Sequence, residues 1–177
     1  MINNWKLSFE RVIKSEGGFV LSNIPGDAGG QTYAGIARVP NPDWEGWAFI
    51  DKGIMPSDEI VMKFYKVKIW DKVKGDELPT GVDYLVFDFA VNAGVKQAIK
   101  LLQRSVGTPD DGLIGPATLK AVSAKSVDEI VNEYSKQKET FYRSIVERRP
   151  ANAKFLKGWL NRVAHVKEFV DKMENMA

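Results

Sequence analysis

The chain has no cysteine, which removes disulfide staples, thiolate metal sites and thiol nucleophiles together. It has one histidine, His165, so a cluster of imidazoles cannot hold a metal and a serine–histidine pair has a single residue to draw on. No apolar run approaches the ~18 residues of a membrane span, so stable membrane insertion is not expected. A strong excess of one charge is also missing. The 25 Lys+Arg against 23 Asp+Glu leave a net charge of +2, too small by itself to argue for nucleic acid. The first sixteen residues lack the apolar core and cleavage site of a signal peptide. The expectation is therefore synthesis in the cytoplasm, with passage beyond it supplied by something else. Chemistry is left to carboxylates, hydroxyls, amides and lysines.

At 177 residues, 44% hydrophobic and 27% charged, the chain suits one ordered domain. Residues 1–88 are slightly acidic and residues 89–177 are basic. The basic half suits either an anionic polymer or ordinary solvated helix faces. Neither a recognition-helix motif nor a basic cluster on one helix is present, so nucleic acid is not the expected partner.

Asn3 and Asn4 can cap a first helix, which the helical spacing of Trp5, Phe9, Val12 and Ile13 predicts and Gly17-Gly18 closes. Residues 19–38 change texture: Gly26, Gly29, Gly30 and Gly35 interrupt β-prone pieces, which predicts a small hairpin or ordered loop. Residues 39–56 read as an aromatic-rich connector. Beyond it the pattern is helical. A helix over about 57–71 places Ile60, Phe64, Val67 and Trp70 on one side. Others cover 82–92, the stretch from Gly94 to Val106, and the segment opening at Pro116. Ser126 and Glu129 have capping-box spacing for a long helix ending near Pro150, and a last helix covers 151–173. The expected fold is mainly α with a small glycine-rich excursion. Residues 1–80 form its catalytic part and 81–177 its helical part.

The chemically informative window runs from Ser15 to Ile36. Glu16 ends a helix before two glycines, Asp27 follows 11 positions later and Thr32 a further 5. If the intervening segment folds back, all three face one groove. Two carboxylates on a groove suit glycoside hydrolysis: one donates a proton to the leaving oxygen, the other stays charged. Glu16, near Phe19 and Trp5, is the better proton donor, Asp27 the better ionised partner, and Thr32 a water holder. The plainer alternative makes Glu16 a polar helix end and Asp27 a turn residue.

Glu16-Gly17-Gly18-Phe19 followed by Asp27-Ala28-Gly29-Gly30-Gln31-Thr32-Tyr33-Ala34-Gly35-Ile36 resembles the N-terminal signature of phage endolysin-type N-acetylmuramidases of glycoside hydrolase family 108. Phe87-Asp88-Phe89-Ala90-Val91-Asn92-Ala93-Gly94 resembles the family's central helix. Asp111-Gly112-Leu113-Ile114-Gly115-Pro116-Ala117-Thr118-Leu119 resembles its predicted peptidoglycan-binding segment, and Gly158-Trp159-Leu160-Asn161-Arg162-Val163 its C-terminal signature. The order is right and most of the chain is covered.

The resemblance implies a lysozyme-like helical domain that hydrolyses the β-1,4 bond between N-acetylmuramic acid and N-acetylglucosamine of bacterial peptidoglycan. Glu16 carries over as general acid, with Asp27 and Thr32 as site residues that position water. Tyr33, Tyr65, Trp70, Asp88 and Asn92 are candidate substrate-binding residues. Asp88 and Asn92 share a helix face at i, i+4, where cleft lining and core hydrogen bonding both remain open. Trp44 and Trp47 read as a sugar-stacking wall or as a loop over the core. The Asp111 segment reads first as turn and helix-start chemistry, and His165 as an ordinary helix residue. No metal or cofactor is needed. The peptidoglycan glycan strand is the expected partner. A holin or similar pore is implied for access, most naturally in a phage or prophage lysis cassette. The competing reading is a non-catalytic wall-binding or secretion-accessory protein on the same fold.

Overall fold

The computed structural model describes residues 4–23, 25–26 and 28–176. Helix α1 (Asn4–Ser15) leads into three short strands, β1 (Leu21–Asn23), β2 (Gln31–Tyr33) and β3 (Ile36–Ala37). The strands form one antiparallel sheet in chain order, with Ser22 opposite Thr32 and Tyr33 opposite Ile36. The glycine-rich excursion is thus a small sheet, and the rest is helical as expected.

The segment read as a connector contains a short helix, α2 (Gly46–Ile50). Trp44 stacks on Tyr33 and meets Trp47 edge-on, and Trp47 Nε1 donates to Asn41 O at 2.8 Å. Both indoles are largely buried and cover the core, with an edge of Trp44 lining a hollow against Phe64.

Helix α3 (Asp58–Tyr65) is capped by Ser57, whose side chain accepts from Ile60 N. It runs on into a π-helical turn, Lys66–Trp70. The wider turn shifts the phase of the inward face. Val67, expected to point inward, is therefore exposed, while Trp70 is wholly buried.

Helix α4 (Val82–Ala93) is the axis of the molecule. Every residue from Gly81 to Ala90 is buried, as an apolar-all-round helix requires. Helices α1, α5 (Val95–Val106), α7 (Val127–Arg148) and α8 (Ala153–Met176) pack around it. Asp83 closes its first turn, accepting from Gly81 N at 2.9 Å and Tyr84 N at 2.7 Å. Its other oxygen accepts from Asn4 Nδ2 at 2.9 Å, and that amide also donates to Thr80 Oγ1. Asn4 is therefore less a cap of its own helix than a clamp fixing α1 against α4. Asn3, the other expected cap, lies outside the described residues.

Helix α6 (Pro116–Ser123) opens on its proline. The capping box of α7 is formed: Ser126 Oγ accepts from Glu129 N at 3.2 Å and Glu129 Oε2 accepts from Ser126 N at 2.8 Å. Among the described residues no helix is long and apolar enough to cross a membrane.

Candidate active site

Glu16 sits where α1 runs out. Its N–H still bonds to Val12 O at 2.9 Å, while Gly17 takes φ +89° and Gly18 N reaches back to Ile13 O at 2.9 Å. This is a Schellman-type closure, and the left-handed Gly17 is what turns the chain away from the carboxylate.

The sheet supplies the cover. Tyr33 and Ile36 pair across a two-residue turn, Ala34-Gly35, with φ of +49° and +81°. Positive φ at both positions is the primed turn that suits a twisted hairpin. A Cβ on Gly35 would lie 2.6 Å from Tyr65 Oη and 3.2 Å from both Cβ and Cγ of Glu16. The turn therefore rests on the Glu16 side chain, and only glycine permits the approach. Tyr65 Oη donates to Ala34 O at 2.7 Å and holds the turn down.

Burial under this cover raises the proton affinity of the Glu16 carboxyl above its ordinary value; Arg162 opposes the rise and Asp88 adds to it. The cover comes from Gly35 and Tyr65. Phe19, expected to supply it, is exposed, and Trp5 packs against Phe9, Trp70 and Phe87.

Helices α4 and α8 supply a second set of groups. Asp88 is 1% exposed, and its Oδ1 accepts from Arg162 Nη2 at 2.9 Å. With the Asn92 amide oxygen turned to Arg162, it accepts from Nε at 2.8 Å and from Nη2 at 3.2 Å. Arg162 thus joins Asp88 below to Asn92 at the surface, and its charge reaches Glu16. A hollow of about 380 Å³ opens beside these groups, with Arg11, Ser15, Asn161, Arg162 and His165 in its wall. The hollow of about 310 Å³ around Trp44 and Phe64 contains none of the groups around Glu16.

The other expected residues are distributed unevenly. Asp27 lies outside the described residues. Thr32 is partly buried in the middle of β2. Tyr33 and Tyr65 are buried against Trp44 and Ala34, so each shapes the cover and offers substrate no face. Trp70 is a core residue whose Nε1 donates to Asp76 at 2.9 Å, which corrects the expectation of cleft lining. Asp88 is corrected in the same way: its carboxylate is enclosed and bonded to Arg162. Asn92 is exposed and stands at the rim.

Arg162 was not singled out by residue type, although it lies inside the Gly158–Val163 motif. Lys138 carried a weaker signal: it falls on the apolar face of α7, four residues from both Tyr134 and Tyr142. Among the described residues the carboxylates close enough to share a cation are Asp128, Asp171 and Glu174, at the start of α7 and the end of α8, and Glu16 is not among them.

A half-buried carboxyl of raised proton affinity, with a guanidinium behind it and a hollow nearby, is equipped to donate a proton to a leaving oxygen. Residues 9–94 match the family model described as Glycosyl hydrolase 108, and residues 97–164 match the one described as Predicted Peptidoglycan domain. Among solved structures, that of SagA from Brucella abortus is 30% identical, with a TM-score of 0.75 over 96% of this chain and 94% of that chain. No curated protein sequence matches.

Proposed function

The chain belongs to the glycosyl hydrolase 108 family and is a glycoside hydrolase directed at peptidoglycan; from that premise we propose that it cleaves the β-1,4 bond between N-acetylmuramic acid and N-acetylglucosamine, with Glu16 as general acid. The observation that carries the residue assignment is the half-buried Glu16 carboxyl, raised in proton affinity by burial under the Ala34-Gly35 turn, one residue along the chain from Ser15, which lines the hollow together with Arg162. A carboxyl that keeps its proton protonates the glycosidic oxygen as the bond to the anomeric carbon breaks. Asp27 and Thr32 position the water that attacks the opposite face, which gives inversion at that carbon. Asn92 and Arg162 meet the polar groups of the glycan at the rim.

The catalytic part of the chain is residues 1–80, and residues 81–177 add the helical support. The protein is made in the cytoplasm of a host bacterium and reaches the wall through a holin or comparable pore, as in a phage or prophage lysis cassette. No metal or cofactor takes part, and nucleic acid is not a partner.

The test is digestion of purified peptidoglycan with mass spectrometry of the products and NMR of the first-formed anomer. Muropeptides ending in reducing N-acetylmuramic acid, released first as the α anomer, support the reading. Products ending in reducing N-acetylglucosamine overturn the bond assignment, and a β product overturns the water-positioning role. Sedimentation with the wall and no cleavage leaves the wall-binding accessory role in its place.

A further inference from the structure

Lys138 is 1% exposed, and its ammonium makes no hydrogen bond among the described residues. It lies on α7 with its Nζ 5.7 Å from the centre of the Phe89 ring, the residue next to Asp88 on α4. Asp88 has a matching defect. Its Oδ1 is bonded to Arg162, but its buried Oδ2 has no hydrogen-bond partner among the described residues. An ammonium and a carboxylate oxygen, both shut away from water and both unpaired, therefore share the interface of α4 and α7.

Such an arrangement is poor as a fastening. A buried charge without hydrogen bonds costs several kcal/mol, and a methionine or leucine at this point of an apolar helix face fills similar space without that penalty. Its electrostatic reach is where it has an effect. The groups facing Lys138 with charge are Asp88 from α4 and Arg162 from α8. Those facing Asp88 are Lys138, Arg162, Glu16 and the phenols Tyr84, Tyr134 and Tyr142. Buried Lys138 and Asp88 and half-buried Arg162 thus form one set of charges, and the last two of them act on the Glu16 carboxyl.

We propose that Lys138 is a positioning residue for Glu16: its buried ammonium, bearing on the unpaired oxygen of Asp88, sets the net charge of the Lys138–Asp88–Arg162 group behind Glu16. With Lys138 charged, the three groups sum to one positive charge and loosen the Glu16 proton. With Lys138 neutral they sum to zero, and Glu16 holds its proton more tightly. Desolvation pushes the Lys138 ammonium down to about 8, close enough to working pH for both forms to matter. The coupling is reciprocal, so ionised Glu16 must favour charged Lys138 by the same amount.

The inference rests on Glu16 as the general acid only for its meaning in catalysis; its test reads protons directly. The Glu16 carboxyl is followed by 13C NMR in wild type, Lys138→Met and Lys138→Arg. Lys138→Met is expected to raise the Glu16 midpoint by about half a unit, the effect of removing one buried positive charge that acts through Asp88 and Arg162, and Lys138→Arg to restore it. The alkaline limb of kcat/KM on peptidoglycan moves by the same amount. A folded Lys138→Met protein with the wild-type midpoint overturns the proposal. A measurement that leaves the core intact decides the matter if Lys138→Met does not fold: the Lys138 ε-carbon is titrated in wild type and in Glu16→Gln. A lower midpoint in Glu16→Gln supports the coupling, and an unchanged one refutes it. If Lys138 and Glu16 are coupled but no peptidoglycan is cut, the proposed function fails while this inference stands.

Discussion

Two acidic, glycine-rich loops in this chain look alike as sequence and differ in what surrounds them. One is Glu16-Gly17-Gly18 at the end of α1; the other is Asp110-Asp111-Gly112 between α5 and α6. In the second loop the carboxylate is surrounded by donors. Asp111 Oδ1 accepts from Leu113 N at 2.9 Å and from Gln103 Nε2 at 2.8 Å. The same Gln103 amide donates to Leu113 O and Thr118 Oγ1 and accepts from Gly112 N at 2.9 Å. Those bonds to the charged form lower the proton affinity of Asp111. Glu16 is raised, because it is half-buried under a turn and its nearest positive charge is shared with Asp88. A saturated carboxylate holds a loop together; a desolvated one is ready to give up a proton to substrate.

The sharpest way to break this comparison is Glu16→Gln. The variant is expected to lose about 100-fold or more in kcat/KM for release of reducing ends from peptidoglycan. It is also expected to be no less stable than wild type at neutral pH. Because the folded carboxyl binds its proton more tightly than the unfolded one, its contribution to stability falls as pH rises past the unfolded value. It stays unfavourable above the native one, and an amide removes that cost. Thermal melts at pH 7 check the second half.

Gln103→Leu attacks the other loop. It strands Gly112 N, Leu113 O and Thr118 Oγ1 in a buried site and is expected to cost about 2–4 kcal/mol in urea unfolding. The catalytic rate of the folded fraction should not change. Gly35→Ala tests the cover over Glu16. A φ of +81° is strained for any L residue by about 1–2 kcal/mol, and the new methyl meets Tyr65 Oη. Lifting the turn lets water reach Glu16, so the alkaline limb of activity should also move to lower pH. The smallest effect is expected for Asp111→Asn: a slight drop in melting temperature and wild-type kcat/KM, measured in the same assay as Glu16→Gln.

Much of this architecture is legible in the chain. The helices after residue 80 follow their apolar spacing, the Pro116 start and the Ser126–Glu129 capping box. Glu16 is singled out by the resemblance of its Glu-Gly-Gly-Phe motif; its place at a helix end before two glycines fits a polar helix terminus equally well. What was not legible is tertiary. The Trp70 indole looks like a sugar platform by type, but the π turn before it rotates it into the core. Tyr65 reads the same way, yet its hydroxyl is used by Ala34. Asp88 and Asn92 do share a face, but only the fold reveals that Arg162, 74 positions from Asp88, reaches them both. Lys138 looks by type like exposed Lys136, the other lysine of α7, and its burial follows from the helix packing around α4.

The opposite proton affinities of the Glu16 and Asp111 carboxyls can be read in one sample. A 13C NMR titration of wild-type protein labelled at the Glu and Asp carboxyl carbons should place Glu16 above the ordinary glutamate value of 4.5 and Asp111 below the ordinary aspartate value of 3.8. A Glu16 midpoint at or below 4.5 would contradict the account, since the carboxyl would then be charged at the cleft like any surface glutamate.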